Sequence, residues 1–321
     1  MNSSKIDEIR QNVVKIIEIS DDQAGQRLDN YLLTRLKGVP KSHVYRLLRS
    51  GQVRVNKGRK KPNYRLETGD KVRVPPVATA VRQQKAVPDA VLKILGNARL
   101  FENNDILVLN KPSGIAVHGG SALDFGIIEA LRTMYPGQYL ELVHRLDRDT
   151  SGCLVLAKNR TALGHLHRAL RTAGNNLDQA VVRKSYLALV AGLWQQGEQT
   201  IDLPLRKIRR GGEHRVEVSD DGASAVSYFK LVQHYASASL MQVRIETGRT
   251  HQIRVHAAAL GHPVAGDTKY GDVAFNREIR KKGLRRLFLH ASDIDLPIGG
   301  GLSIHAPLTE DLSQLLDTIT S

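Results

Sequence analysis

The segment from His144 to Gly152 carries the acidic residues with the clearest potential for chemistry. It reads His-Arg-Leu-Asp-Arg-Asp-Thr-Ser-Gly and lies between two predicted strands, where reactive groups are often held on a rigid frame. Asp149 begins Asp-Thr-Ser-Gly, which is an ordinary turn sequence, whereas Asp147 has no such local role.

Asp147 is therefore the acid that the sequence favours as a nucleophile. Residues two apart in extended backbone point the same way, so Arg145 is expected to share a face with Asp147. A guanidinium within a few ångströms lowers the pKa of a carboxyl group by roughly 1–3 units, which keeps a desolvated aspartate ionised. Spacing alone slightly favours the alternative, a surface Arg–Asp pair that caps a turn.

A second polar segment runs from Thr247 to His256. Thr250 is predicted to cap a helix that places Arg254 in its first turns, where a cation is poorly placed and needs a carboxylate partner. His251 and His256 are five residues apart, and no Cys cluster or H-E-x-x-H motif accompanies them. The sequence therefore predicts no metal site, and local hydrogen bonding is favoured for both histidines.

Two further residues are less decisive. Tyr186 lies on a predicted strand, where pattern alone indicates half-buried packing. Lys111 follows another strand in a turn and could meet a phosphate. The chain has no G-x-S-x-G elbow, Walker loop or G-x-G-x-x-G, which argues against a serine hydrolase, a P-loop NTPase and a dinucleotide-binding enzyme.

The charge of the chain is +15 and is concentrated at the front. Residues 1–85 hold 19 basic and 8 acidic side chains, a net of +11, which leaves +4 for the rest. A concentrated excess predicts binding to a polyanion. The alternative is a basic surface that is simply well solvated. Binding to an anionic membrane is disfavoured, because no amphipathic segment with exposed Trp or Phe accompanies the charge.

Composition and pattern divide the chain into four parts. Residues 1–24 are predicted to be a tail and lead-in, residues 25–75 a compact basic module of two helices and a hairpin, and residues 76–90 a linker. Residues 91–321 alternate strands and helices without a strict βαβ rhythm, which indicates a mixed α+β domain. The predicted strands are ILVLN, LELVH, CLVLAK and SYLALV, and the predicted helices are FGIIEALRTM, TALGHLHRALR and HQIRVHAAALG.

The single cysteine, Cys153, lies in an apolar run and is expected to be buried and unreactive. A lone cysteine suits a reducing compartment, and neither a secretory signal nor a bilayer-spanning run is seen. A cytoplasmic protein is expected.

Six segments in order resemble the RluA-type family of pseudouridine synthases. They are NKPSG at 110–114, HRLDRDTSG at 144–152, SYLALV at 185–190, TGRTHQIRVH at 247–256, GHPVAGDTKYGD at 261–272 and RLFLHA at 286–291. The basic module resembles an S4 RNA-binding domain. The resemblance implies an α+β architecture, with a small S4-like domain followed by a catalytic domain whose mixed, mainly antiparallel sheet is flanked by helices.

The resemblance also implies a reaction and its residues. A uridine is flipped out of the RNA and isomerised to pseudouridine without metal or organic cofactor. Asp147 is then the catalytic aspartate at ribose C1′, Arg145 fills the hole left by the base, and Tyr186 stacks on it. Arg254 pairs with Asp147, and Leu289 forms an apolar floor.

The expected partner is 23S rRNA or a large-subunit precursor, modified at several uridines by a monomeric enzyme with no membrane partner. The residues expected to grip RNA are Arg27, Lys41, Arg46, Arg49, Lys57, Arg59, Lys60 and Lys61. The stretch 172–186 is longer than the usual family connection. A non-catalytic ribosome-assembly protein, and a synthase acting on tRNA or other rRNA sites, are the alternatives.

Overall fold

The computed structural model describes residues 14–36, 39–77, 87–119, 125–172 and 181–320, and the chain separates into two compact units, Met1–Gln84 and Lys85–Ser321. The predicted tail up to residue 13, residues 78–86 of the predicted linker and residues 173–180 of the long connection lie outside the described residues. None of the described helices has the length and apolar character that crossing a bilayer requires.

The first unit packs two short helices with a three-stranded antiparallel sheet. The helices are α1 (Leu28–Arg35) and α2 (Lys41–Arg49), and the strands are β1 (Lys15–Glu18), β2 (Arg54–Val55) and β3 (Lys71–Val74), in the order β1-β3-β2. Apolar side chains three or four residues apart form the buried face of each helix. Those of α2 are Val44, Leu47 and Leu48.

Strand β1 corrects the predicted boundary of this unit. Residues 1–24 were expected to be a tail and lead-in, but Lys15–Glu18 pairs with β3, with Ile17 opposite Val72. Ile19 is buried in the same core. The sequence signal was weak because β1 is a four-residue edge strand whose side chains are largely exposed.

The second unit is built on a ten-stranded sheet and a separate hairpin. Its strands are β4 (Arg99–Glu102), β5 (Ile106–Lys111), β6 (Glu141–Leu142), β7 (Ser151–Ala157), β8 (Arg183–Ala191), β9 (Gln199–Asp202), β10 (Leu205–Arg210), β11 (Glu213–Val218), β12 (Val226–His234), β13 (Ala238–Ile245), β14 (Leu289–Leu296) and β15 (Leu302–His305). Strands β10 and β11 form the hairpin. The main path of the sheet is β4-β5-β7-β14-β8-β13-β12-β9, with β6 beside β7 and β15 beside β14. The β7–β14 pairing is parallel, and the other described pairings of this sheet are antiparallel.

Helices cover both faces of this sheet. They are α3 (Asp89–Asn97), α4 (Ile127–Met134), α5 (Arg160–Thr172), α6 (Gln252–Ala259), α7 (Val273–Lys281) and α8 (Glu310–Thr320). One apolar cluster joins α3, α4, α5 and α6 to the sheet, and another joins α7 and α8. Adjacent residues of β8 enter different clusters, Ala188 the first and Leu189 the second, so the clusters lie on opposite faces. The predicted architecture, a mainly antiparallel sheet flanked by helices, is confirmed.

The order of the central strands brings the chemistry-bearing segments together. His290 of β14 lies beside Ser151 of β7, and Leu289 lies opposite Ala188 of β8. Gly152 makes the β7–β14 approach possible, because it adopts φ +107° and a Cβ there would lie 2.2 Å from the carbonyl oxygen of Ala291. The segment before β7, the face of β8 and the start of β14 therefore meet at one place.

Candidate active site

The five residues predicted for the active site line one cleft of about 1080 Å³ in the second unit. Asp147, Tyr186 and Arg254 contribute polar groups, Leu289 contributes an apolar surface, and Arg145 is exposed. The fold thus brings together residues that are more than 100 positions apart in sequence.

Asp147 lies in the turn between β6 and β7, with its side chain 28% exposed. Its carboxylate oxygen Oδ2 is 3.6 Å from Nη1 of Arg254 and 3.9 Å from Nε2 of His251. The ion pairs described for Asp147 do not include Arg145, so the neighbour two residues away does not supply the charge that the sequence argument expected. The two groups facing Asp147 lie at the start of α6, where His251 is the N-cap residue and Arg254 is in the first turn.

Arg254 is held mainly by a residue that sequence analysis did not assign, Asp267. Its Nε and Nη2 donate to Oδ2 and Oδ1 of Asp267 at 2.6 and 2.7 Å, and both side chains are buried. Oδ1 of Asp267 also accepts from the backbone amides of Lys269 and Tyr270 at 2.8 and 3.0 Å. The carboxylate that the helix argument required is therefore Asp267, and Asp147 faces the remaining nitrogen of Arg254.

The pKa values of this buried pair shift in the directions that favour two charges. Burial alone raises the pKa of Asp267, but the hydrogen bonds and charge of Arg254 outweigh it, so the pKa lies below its ordinary value. Burial likewise opposes protonation of Arg254, and Asp267 and Asp147 together raise its pKa above the ordinary value. Arg254 therefore stays cationic beside Asp147.

His251 sits at the start of α6 in a left-handed conformation, with φ 56°. This corrects the prediction that Thr250 caps the helix, because His251 occupies the capping position. Nδ1 of His251 lies 2.8 Å from the hydroxyl of Tyr270, and that hydroxyl accepts from the amide of Val216 at 2.9 Å. Burial lowers the pKa of His251, although the charge of Asp147 opposes the shift. A non-glycine residue rarely adopts this backbone conformation unless its surroundings require it.

Tyr186 lies on β8 opposite Val243, with 5% of its surface exposed. Burial raises the pKa of its phenol, and the negative charge of Asp147 adds to the effect. The phenol is therefore neutral at physiological pH. Leu289, 4% exposed, lies one strand away on the same side of the sheet.

The turn that carries Asp147 is fixed at its end by Lys111. Lys111 is fully buried, and Nζ donates to the carbonyl oxygens of Pro112, Arg148 and Thr150 at 2.8, 2.9 and 2.8 Å. Ser113 adds a hydroxyl bond to the carbonyl of Asp149 at 2.7 Å. Sequence analysis had allowed Lys111 to meet a phosphate, but its Nζ instead connects the turn after β5 to the turn that carries Asp147.

The other end of the same turn is held by His144. Its Nε2 accepts from the amide of Val155 at 3.2 Å, and burial lowers its pKa to about 3, so it is neutral. His256, which sequence analysis assigned to local hydrogen bonding, is buried between the hydroxyl of Ser227 and the carbonyl of Leu203. Cys153 is buried as predicted, and burial raises the pKa of its thiol to about 12.

The basic residues of the first unit are mostly exposed. Lys41, Arg46 and Arg49 lie on the outer face of α2, as predicted. The residues Lys57, Arg59, Lys60 and Lys61 are exposed in the segment between β2 and β3. Arg27 differs, because its guanidinium binds the buried carboxylate of Asp29 at 2.7 and 3.1 Å and its charge is already balanced.

Comparison with known proteins places these features in a family context. Residues 105–259 match the RNA pseudouridylate synthase family, and residues 26–72 match the S4 domain. The chain is 50% identical to the ribosomal large subunit pseudouridine synthase C of Escherichia coli K12, over 95% of this chain and 97% of that protein. It is 51% identical to the protein of that name in Haemophilus influenzae, over 95% of each chain.

One solved structure has a fold similar to that of this chain. Human RNA pseudouridylate synthase domain containing 4 superposes with a TM-score of 0.59 at 26% identity, covering 72% of this chain and 96% of that one.

Proposed function

Because the chain belongs to the RluA-type family of RNA pseudouridine synthases and carries an S4 domain, we propose that it isomerises specific uridines to pseudouridine in the 23S RNA of the large ribosomal subunit. The observation that supports this most directly is the shared cleft of Asp147, Tyr186 and Arg254. The relatives named above act on the ribosomal large subunit, which supports the choice of RNA.

The reaction begins when the target uridine leaves its stack and enters the cleft. Arg145, exposed at the cleft, fills the space that the base vacates, as extrusion from a stacked RNA requires. Tyr186 then stacks on the uracil, and Leu289 supplies the apolar floor on the same side of the sheet. An apolar cleft wall lowers the cost of holding an unstacked base away from water.

Asp147 acts at C1′ of the bound nucleotide. Its carboxylate attacks or assists as the C1′–N1 bond breaks, the uracil turns, and a C1′–C5 bond forms. The proton at C5 is released and N1 is protonated, so the product is an isomer of the substrate. The step resembles a retaining glycosidase that recaptures its own leaving group. Arg254 keeps Asp147 ionised from 3.6 Å away.

Release of tritium from uridine labelled at C5 measures this reaction. Full-length protein should release tritium from 23S rRNA, and Asp147→Asn and Asp147→Ala should each lose at least about 10³-fold in rate, as expected for a nucleophile. Asp149→Asn is the matched control, because Asp149 is 41% exposed and pairs with Arg148 at 3.1 Å. Turnover by both Asp147 variants at the rate of the control would refute the assignment.

The S4 domain supplies electrostatic affinity for RNA in this proposal. The exposed cations of α2 and of the segment after β2 suit phosphate contacts, which carry little sequence information. We expect several target uridines, a monomeric enzyme and a cytoplasmic location, where ribosomes are assembled. Mapping pseudouridines in 23S rRNA and tRNA from a deletion strain tests the choice of RNA. Loss of pseudouridine from tRNA alone would overturn it.

A further inference from the structure

Lys184 is a buried amine in the cleft to which the reaction above assigns no role. It lies on β8 two residues before Tyr186, and 8% of its surface is exposed. Side chains two apart on a strand point to the same face, and both residues line the cleft. Its Nζ lies 3.4 Å from the place where a side chain on Gly248 would begin, so the glycine leaves room for the ammonium.

Lys184 differs from two other buried cations of the second unit, Arg254 in the cleft and Lys111 at the turn that carries Asp147, because its ammonium group has no described partner. Arg254 has Asp267, and Lys111 has three carbonyl oxygens. Among the residues that the structure describes, none forms a hydrogen bond or an ion pair with the ammonium group of Lys184, whose backbone pairs with β13 and β14. Nζ is not among the described buried atoms that lack a hydrogen-bond partner, so the end of this largely buried side chain reaches the open space of the cleft. Burial lowers its pKa to about 8, with no compensating charge.

A buried ammonium without a counter-ion is unfavourable for folding unless a ligand completes it. An apolar residue at this position would avoid that cost. Functional sites often hold groups that lower stability, so Lys184 is a candidate for substrate binding.

The position along β8 indicates which part of the substrate reaches it. Lys184 lies opposite Ile245, and Tyr186 lies opposite Val243. The two side chains are therefore offset by roughly 6.6 Å along the strand. Leu289 lies opposite Ala188, on the far side of Tyr186 from Lys184. If the uracil lies between Tyr186 and Leu289, the sugar–phosphate backbone lies toward Lys184.

We propose that Lys184 is a substrate-binding residue that contacts a backbone phosphate next to the extruded uridine. This assignment rests on the proposed function, since it assumes that a nucleotide enters the cleft. The contact replaces the missing counter-ion of the ammonium, and it holds the ribose while the uracil detaches and turns.

Binding is measured in the Asp147→Asn background, so that the result does not depend on turnover. Lys184→Met should weaken binding of a target RNA fragment by about 10- to 100-fold, the range expected when a charge-assisted hydrogen bond is lost. Lys230→Met is the charge-matched control, because Lys230 is 61% exposed and pairs with Glu198 away from the cleft. It should change affinity by less than about twofold.

A methylphosphonate at the phosphates flanking the target uridine identifies the contact. At one of the two positions the methylphosphonate should weaken RNA binding by the protein that retains Lys184 but not by Lys184→Met. Lys184→Met should also reduce the slope of log Kd against log salt by about one, which corresponds to one phosphate contact. A loss of rate with unchanged affinity would place Lys184 on the uracil instead and overturn the proposal. Equal affinity of Lys184→Met and Lys230→Met would also overturn it.

Thermal unfolding separates binding from a structural role. Lys184→Met removes no partner, so its melting temperature should equal or exceed that of the wild type, whereas a lower one would indicate a structural lysine. Tritium release by the wild type is measured in parallel. If the wild type released no tritium, the proposed function would be refuted. The binding measurements would still show whether Lys184 contacts an RNA phosphate.

Discussion

Asp267→Asn tests whether Arg254 faces the carboxylate of Asp147, the proposed nucleophile, because a second acid holds it there. Asp267 has a fully buried side chain and binds Arg254 through both oxygens. Asparagine can keep the acceptor that serves the amides of Lys269 and Tyr270, but its NH₂ group then opposes Nε of Arg254, donor against donor. Arg254 is left buried with its charge unbalanced.

The size of the effect follows from the burial of both partners. Removing one partner of a buried pair costs about 3–5 kcal/mol, whereas an exposed pair contributes about 0–1 kcal/mol. At roughly 2–4 °C per kcal/mol for a domain of this size, Asp267→Asn should lower the melting temperature by roughly 6–20 °C. Asp147→Asn should lower it far less, since Asp147 is 28% exposed and 3.6 Å from Arg254.

Activity should fall together with stability, through kcat more than through KM. Arg254 then no longer holds its Nη1 beside Asp147, and tritium release at a temperature where the variant is folded should drop at least about tenfold. Asp272→Asn is the control, because Asp272 caps α7 by accepting from the amide of Phe275 at 2.7 Å and asparagine caps equally well.

A double variant distinguishes positioning from folding. Arg254→Met combined with Asp267→Leu replaces the pair by apolar side chains, which is often neutral or stabilising. The double variant should recover much of the lost stability and none of the activity. Wild-type turnover by it, or a melting temperature of Asp267→Asn within 2 °C or so of the wild type, would refute the reasoning.

Acid denaturation provides a further check on the same carboxylate. The folded pKa of Asp267 lies below its ordinary value, so its contribution is complete above the unfolded pKa of about 3.9 and is lost as pH falls through the folded pKa. Asp267→Asn should therefore be least different from the wild type in acid. A stability difference that grew below pH ~4 would contradict this sign.

Three further variants probe other features. Burial lowers the pKa of Lys184 from its ordinary 10.5 to about 8. Burying the ammonium therefore costs roughly 3 kcal/mol of folding free energy below pH 8, and this cost decreases as the pH rises to 10.5. Urea unfolding should show that Lys184→Met is more stable than the wild type at pH 7 and equally stable at pH ~10.5. Lys111→Met leaves the carbonyl oxygens of the turn that carries Asp147 without their donor and should lower kcat, whereas a wild-type rate would show that the turn holds its shape without Lys111. Neutralising Lys41, Arg46 and Arg49 together should reduce the slope of log Kd against log salt by about 2–3, and an unchanged slope would place the RNA elsewhere.

The sequence predicted the elements with long apolar runs and missed those without. The buried strand Ser151–Ala157 and the helices that contain Leu131 and Leu166 follow the expected periods. The strands β9 to β13 were not predicted. The β10–β11 hairpin is mostly charged and β9 has only four residues, but β13 was missed although six of its eight residues are buried. Helix α8 was not predicted either, although Leu312 and Leu315 are spaced as on one face of a helix.

The candidate site shows where pattern reasoning stops. Residue chemistry alone selected Asp147 over Asp149 but named Arg145 as its partner, since only neighbours in sequence are visible to that argument. The roles of Tyr186 and Leu289 came from family resemblance. Asp267 went unassigned although it lies in the quoted segment 261–272, because nothing local shows that its carboxylate is buried against a helix 13 residues earlier.

The sequence pattern around Lys184 could have indicated its unusual position, but it was not used. Positions 184, 186 and 188 share one face of β8, and two of them are core residues, so a lysine at the first position breaks the apolar pattern. The same logic applies to the other buried cations of the second unit. Asp267 balances Arg254, and carbonyl oxygens satisfy Lys111, so the local structure accounts for each of these cations. Among the described residues none does the same for the largely buried ammonium group of Lys184, and in the proposed complex an RNA phosphate does so. Lys184 would then lower the stability of the free protein and raise its affinity for the nucleotide. Lys184→Met should therefore increase the free energy of unfolding and weaken RNA binding.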